Sequence, residues 1–218
     1  MSILSSDTMS FYLLGESAAV IQTCAPVSLF CQRRLWSLAQ QLRAIGSYRE
    51  VVPGMNNLTL VFDPDLTSGA EQLALLADLW ERSEAQDFSS RSVQIAVTYG
   101  GEFGPDLELV AEHTGLSPEQ VIVEHTAADY MVYFLGFQPG FAYLGGLPPA
   151  LATPRRAVPR LSVPAGSVGI GGMQTGIYPA ASPGGWQLIG RSSMSLFNPE
   201  LAQPSLLQPG DLVRFVAV

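Results

Sequence analysis

Three arginines fall in one proline-rich run, Thr153-Pro-Arg-Arg-Ala-Val-Pro-Arg160. Proline narrows the backbone's freedom, so Arg155, Arg156 and Arg160 are held there at reduced entropic cost. Each guanidinium presents a planar fork that matches a carboxylate or a phosphate. Residues 131–218 contain five arginines and only two acids, Glu200 and Asp211, so little within that segment neutralises the run. Capture of an anion is the chemistry this suits, with a solvated basic loop as the plain alternative. Arg191, which follows Gly190 at an expected strand end, is a further candidate.

Other reactive groups are sparse. There is no G-x-S-x-G elbow to raise a nucleophile, and Ser162, Ser167 and Ser182 read first as turn formers. The two histidines, His113 and His125, are each expected near the end of a helix, where a partial positive charge is favoured. Capping outweighs catalysis for His113, whereas for His125 the two readings are balanced. Gly166-Ser-Val-Gly-Ile-Gly-Gly172 is not a Walker A loop, because that motif requires a lysine and the chain has none. It reads as a glycine-rich β-turn whose N–H groups could cradle an anion. H-E-x-x-H spacing is absent, and no metal site is expected. Phe137-Gln-Pro-Gly-Phe-Ala-Tyr-Leu-Gly-Gly146 mixes aromatics with glycine, which suits a ligand wall or an intersubunit contact.

The elements that must position these groups divide into two sets. Phe11–Leu14 and Ala18–Ile21 read as strands. Ser28 then caps a helix running to about Ile45, on which Cys31, Leu35, Leu38, Leu42 and Ile45 form one apolar stripe. Gly46 stands where a left-handed terminal residue belongs. Strands at Val51-Val52 and Leu58–Phe62 and a helix over about 68–85 complete a ββαββα two-layer sandwich. The character changes near Ser90. A strand at Val93–Thr98 precedes two short helices, the first capped by Asp106 and ended by Gly115, the second opened by the capping box Ser117-Pro-Glu-Gln120. From Tyr130 onward, short apolar runs broken by glycine and proline predict a compact all-β sandwich or barrel.

Composition excludes several classes. The formal net charge is −8, which disfavours nucleic acid and a membrane surface. No apolar run approaches the roughly 18 residues of a membrane span, and Met1–Ser10 does not read as a secretory signal. Cys24 and Cys31 lack C-x-x-C spacing and read as reduced thiols of a cytoplasmic protein. Charged residues are 14% of the chain, below the usual share of about 25%, which leaves buried interfaces and a large core as equal explanations.

Seven blocks in order resemble one family. They are Tyr99-Gly-Gly-Glu-Phe-Gly-Pro-Asp-Leu107, Tyr133-Phe-Leu-Gly-Phe-Gln-Pro-Gly-Phe141, Tyr143-Leu-Gly-Gly146, Thr153-Pro-Arg-Arg156, Val163-Pro-Ala-Gly-Ser-Val-Gly-Ile-Gly-Gly172, Gln174-Thr-Gly-Ile-Tyr-Pro179 and Ser182-Pro-Gly-Gly-Trp-Gln-Leu-Ile-Gly-Arg191. Pro53-Gly-Met-Asn-Asn57 extends the likeness into the first half. The chain resembles the family of the 5-oxoprolinase B subunit, also called KipI-like or allophanate hydrolase subunit 1. Ala142 departs from the proline that the pattern leads one to expect.

The elements read above make an α+β chain, with residues 1–90 as an N-terminal two-layer α/β sandwich. The resemblance implies a cyclophilin-like β-barrel domain for residues 91–218. It also implies the C and A subunits of 5-oxoprolinase as partners, and an ATP-dependent opening of 5-oxoproline to glutamate. ATP would be bound by a partner, with neither metal nor biotin on this chain. Candidate substrate-binding residues are Arg155, Arg160, Gln174, Tyr178, Arg191, Gly166 and Ser167. Candidates for a catalytic acid or base are His125, Glu102 and Asp106. Two rival readings are an inhibitor of a sporulation histidine kinase and a carboxyltransferase-like module of a urea carboxylase or allophanate hydrolase system.

Overall fold

The computed structural model describes residues 9–23, 28–85 and 91–218. The chain divides into two compact units, 1–88 and 89–218. Most of the expected boundary segment, residues 86–90, lies outside the described residues, as does Cys24. Cys31 is a half-buried free thiol.

The first unit follows the ββαββα order. β1 (Met9–Leu14), β2 (Ala18–Thr23), α1 (Leu29–Ile45), β3 (Glu50–Pro53), β4 (Asn57–Val61) and α2 (Gly69–Arg82) give a four-stranded antiparallel sheet in the order β1-β2-β4-β3. Ser28 caps α1 by accepting from the Cys31 N–H, and Gly46 ends the helix at φ 75°. The apolar stripe buries Leu35, Leu38 and Leu42 against Leu58, Leu60 and Leu76, while Ile45 in the last turn is half exposed. On α2, Ser68 and Glu71 form a reciprocal capping box, which satisfies two backbone donors that the first turn leaves open.

The second unit is a closed barrel flanked by two helices. Its elements are β5 (Ser92–Tyr99), α3 (Leu107–Thr114), α4 (Pro118–Ala127), β6 (Tyr130–Leu135), β7 (Ala142–Gly145), β8 (Arg160–Val163), β9 (Ser167–Gly171), β10 (Gln174–Ile177), β11 (Ser182–Gly184), β12 (Gln187–Arg191) and β13 (Leu212–Ala217). The barrel runs β10-β7-β6-β13-β5-β12-β9 and closes through the β9–β10 hairpin. Every pair in it is antiparallel except β13 with β5. The glycine-rich segment 166–172, read from sequence as a turn, therefore contains the whole of β9. β8 and β11 make a separate two-stranded ribbon.

The barrel core joins Ile95 and Val97 of β5, Val168 and Ile170 of β9, Ile189 of β12 and Phe215 of β13. Val110 of α3 and Val121 of α4 pack into the same core. Ala142, at the position where the family pattern suggested proline, opens β7 opposite Leu135 and is buried there. Among the described residues, no helix is long and apolar enough to cross a membrane.

Candidate functional site

A second, aromatic cluster lies beside the barrel core. Phe141, Tyr178 and Trp186 are buried with Val163 and Leu188. Phe141 meets Tyr178 at 5.3 Å and Trp186 at 5.6 Å between ring centroids, both edge to face, a favoured arrangement of aromatic quadrupoles. Glycine makes room for these rings. A Cβ on Gly171 would stand 2.5 Å from Trp186 Nε1, and one on Gly184 would stand 2.6 Å from the Tyr178 hydroxyl.

Above the cluster opens a cavity of about 190 Å³, lined by Phe137, Tyr143, Tyr178, Trp186, Arg155 and Arg156, among others. That volume lies below the usual range for drug-sized ligands and fits a small molecule. Burial raises the pKa of both Tyr143 and Tyr178, and the nearby charge of Arg155 opposes that rise in each.

The loop carrying the arginines is tied down at several points. Thr153 bridges to Gly172, the Gln187 side-chain amide donates to the Pro154 carbonyl at 2.9 Å, and the Arg156 N–H donates to the Gly185 carbonyl at 2.7 Å. Asp106 is the electrostatic centre of this arrangement. Its Oδ1 accepts from Arg160 Nη2 at 2.7 Å and from Arg156 Nη1 at 3.2 Å, and its Oδ2 accepts from the Leu188 N–H at 2.7 Å.

The carboxylate is 6% exposed, so its charge is balanced by guanidinium groups and not by water. This corrects the expected role of Asp106 as a helix cap. It occupies the N-cap position of α3, yet its side chain makes no capping hydrogen bond. It also supplies, from outside the segment, the acid that residues 131–218 lack for Arg156 and Arg160.

Arg155 differs from its neighbours. It is exposed, makes no ion pair among the described residues, and sits 5.7 Å from the Trp186 ring centroid. Arg156 Nε and Arg160 Nη1 are buried donors without a hydrogen-bond partner among the described residues. The loop thus carries one exposed guanidinium beside two whose orientation is fixed, and Arg155 and Arg156 line the cavity.

The remaining candidates lie apart. His125 is fully buried in the barrel. Its Nδ1 stands 2.8 Å from the Tyr99 hydroxyl, and its Nε2 stands 3.0 Å from Thr175 Oγ1. The Thr175 hydroxyl donates to the Gly169 carbonyl, so it accepts from His125, which fixes the proton on Nε2 and leaves Nδ1 to accept from Tyr99. Phe215 stacks on the imidazole at 4.5 Å. Burial pushes the His125 pKa down to about 3. This is a neutral core histidine with both nitrogens engaged.

Glu102 is exposed in the turn between β5 and α3. Arg191 lines a different depression of about 210 Å³ with Phe103 and Thr98. Ser167 is buried opposite Arg191 in the β9–β12 register, and its hydroxyl has no partner among the described residues. Gly166, at φ 79°, comes so close to the Ser192 carbonyl that a Cβ would lie 2.0 Å from that oxygen. Gln174 opens β10 opposite Gly171, outside the cavity lining. Among the described residues, no group of three or more His, Cys, Asp or Glu is placed to hold a metal ion.

Of the sequence candidates, the structure brings together Arg155, Arg160, Tyr178 and Asp106. Reasoning from sequence did not single out Trp186, although Gly184-Gly-Trp186 beside a glycine-rich strand is a usable signal for a ring laid across a flat backbone. Phe137 and Tyr143 fell in a segment already read as a ligand wall or an intersubunit contact.

Known proteins share both this sequence and this fold. The family model described as "Carboxyltransferase domain, subdomain C and D" matches residues 9–207. The chain is 55% identical over 205 residues to the B subunit of 5-oxoprolinase from Escherichia coli O157:H7, covering 94% of each chain. It is 50% identical to the corresponding B subunit of 5-oxoprolinase from Haemophilus influenzae, over 95% of this chain and 97% of that one. The crystal structure of TTHA0988 matches 93% of this chain at 40% identity and a TM-score of 0.78, and this chain spans only 40% of that protein. The urea amidolyase of K. lactis matches at a TM-score of 0.84 over all of this chain and 16% of its own length. Its 21% identity makes that a likeness of fold alone.

Proposed function

Because the chain belongs to the family of the 5-oxoprolinase B subunit, we propose that it acts in an ATP-dependent 5-oxoprolinase with the A and C subunits. In that complex 5-oxo-L-proline, ATP and two waters give L-glutamate, ADP and phosphate. The complex works in the cytoplasm, and this chain does not turn over substrate alone. ATP is held by one of the partners. TTHA0988, in which the matching region is 40% of a longer chain, supports a domain that works beside further protein.

The observation that carries the site assignment is Arg155, a guanidinium without an acid partner among the described residues, at the edge of a small aromatic cavity. A lactam carbon is a poor electrophile. Transfer of the γ-phosphoryl group to the lactam oxygen activates that carbon. Water then attacks it, the ring C–N bond breaks with its electrons and a proton going to nitrogen, and γ-glutamyl phosphate results. A second water releases phosphate. Through these steps the substrate carboxylate is held by Arg155, and the apolar ring face rests on the aromatic walls. The fixed guanidinium groups of Arg156 and Arg160 offset the growing negative charge nearby.

The test is 5-oxoproline turnover by the three-subunit complex and by mixtures lacking each component in turn. Glutamate release is expected only from the complete set. ATP-dependent glutamate release from the isolated chain would refute the reading of this chain as one part of a larger enzyme.

A further inference from the structure

Phe137 sits in a backbone conformation that a bulky residue rarely adopts. Its φ is 67°, in the left-handed region where a Cβ crowds the backbone. The Gln138 N–H donates to the Gly136 carbonyl at 2.8 Å, so Phe137 is the central residue of a three-residue γ-turn of the rare, strained hand. The surrounding chain enforces it. The Gly136 N–H donates to the Phe141 carbonyl at 3.1 Å and the Phe141 N–H donates to the Gln138 carbonyl at 3.0 Å. From outside the turn, the Gln138 side-chain amide reaches the Ala180 carbonyl at 3.3 Å.

Packing within the fold does not account for this strain. The Phe137 side chain touches Phe141 and Tyr178 only edge-on, at 5.4 and 6.2 Å, and the residue remains 60% exposed. What the strained turn does achieve is to place an aromatic ring on the cavity that Arg155 borders. Strain retained at a ligand-facing position, where the fold itself gains little, is the pattern expected of a pre-organised binding wall.

We propose that Phe137 determines the specificity of this cavity. Its ring, held by the strained turn, walls the apolar face of a small cyclic carboxylate whose charge lies on Arg155. The inference rests on the proposed function, and it assigns selection for the five-membered ring of that substrate to one residue. Of the aromatic residues that line the cavity, Phe137 alone is exposed, so a wider ring would bear on it first.

The test uses Phe137→Ala, Phe137→Gly and Phe137→Tyr in the reconstituted three-subunit complex. KM for 5-oxoproline is expected to rise about tenfold in the alanine and glycine variants, a change larger than any fall in kcat and equivalent to about 1.4 kcal/mol of lost binding. Discrimination against the six-membered lactam acid should weaken in both, and the tyrosine variant should restore KM. The glycine variant should melt about 2–4 °C above the alanine variant, reversing their ordinary order, because only glycine is at ease at this φ.

Unchanged KM and ring-size discrimination in an active complex would overturn the inference and leave the proposed function standing. So would an alanine variant that melts above the glycine variant. Loss of complex assembly with the ligand response intact would overturn it too, by making Phe137 an interface anchor. A wild-type complex without turnover would remove the proposed function, and this inference with it.

Discussion

Asp106 and Arg160 are 54 residues apart in the sequence and 2.7 Å apart in the structure. The carboxylate also takes Arg156 and the Leu188 N–H, so one side chain fastens the arginine loop to β12 at the start of α3. Asp106→Ala should leave two guanidinium groups half-buried without their counter-charge. The expected loss is about 3 kcal/mol of unfolding free energy, read as a lower urea midpoint with an unchanged slope. A midpoint equal to that of the wild type would show that the cluster contributes little to the fold.

Arg155→Lys separates recognition from stability. Lysine keeps the charge and loses the planar fork. Loss of a charge-assisted hydrogen bond costs about 1.5–3 kcal/mol, a ten- to hundredfold fall in kcat/KM of the reconstituted complex. Because Arg155 makes no ion pair among the described residues, the melting temperature should stay as it was. Arg160→Lys, by contrast, should lower the melting temperature as well, since Arg160 holds Asp106. Near-normal turnover in both variants would remove the anion-binding role and leave the Asp106 cluster as a purely structural tie.

Gly171→Ala tests the aromatic cluster from beneath. The added methyl would stand 2.5 Å from Trp186 Nε1, so either the ring or the strand must shift. Overpacking of this kind costs about 1–3 kcal/mol. A changed near-ultraviolet circular dichroism signal should accompany the loss. An unaltered spectrum with normal melting would mean that Trp186 is not seated against β9.

His125 makes stability depend on pH in a defined direction. Its folded pKa of about 3 lies below the ordinary value of 6.5. Below pH 6.5 the unfolded chain therefore takes up a proton that the folded chain refuses. The stabilising contribution is complete above pH 6.5 and is lost progressively as pH falls toward 3, at up to about 1.4 kcal/mol per pH unit. Asp63, Glu71, Glu119 and Asp129, whose pKa values are lowered by their hydrogen bonds, act only at the acid end of this range. Urea midpoints between pH 7 and 5 should fall in the wild type and stay nearly flat in His125→Gln. Parallel profiles in the two proteins would count against a neutral buried imidazole.

We propose that residues 1–90 and 91–218 are separate domains. The barrel is built from β5 onward, and its strands find all their partners between residues 92 and 217. Limited proteolysis is expected to leave two resistant fragments that meet near residue 90. Early cutting within 163–191, with residues 80–95 untouched, would argue for a different division.

Legibility in the sequence followed the range of the interactions involved. The stripe Leu35, Leu38 and Leu42, the cap at Ser28 and the box Ser117–Gln120 depend on neighbours within a turn or two, and each element appears where its spacing predicted. Asp106 looked like a helix cap because its partners, 50 and 54 residues away, leave no local sign. His125 was ambiguous for the same reason, since Tyr99 and Thr175 reach it from 26 and 50 residues away. Arg155, Arg156 and Arg160 could be grouped by sequence, but which of them remains unpaired depends on where Asp106 arrives. The positive φ of Phe137 is invisible in its residue type, because phenylalanine is among the last residues that position would select.

The parallel pairing of β13 with β5 joins Leu212 to Ser92 and Ala217 to Val97, and the same strand meets β6 at Leu212 and Val213. β13 is synthesised after every other strand of the barrel. Until it does, β5 and β6 present unfilled edges to any strand nearby, a recognised route to aggregation. The ββαββα unit, whose strands lie within the first 61 residues, has no such wait. During synthesis it is free to fold while the barrel stays open. The interval before residue 217 emerges is when the protein is most vulnerable to misassembly, so slowing translation across residues 192–211 would prolong the hazard without altering a single native contact.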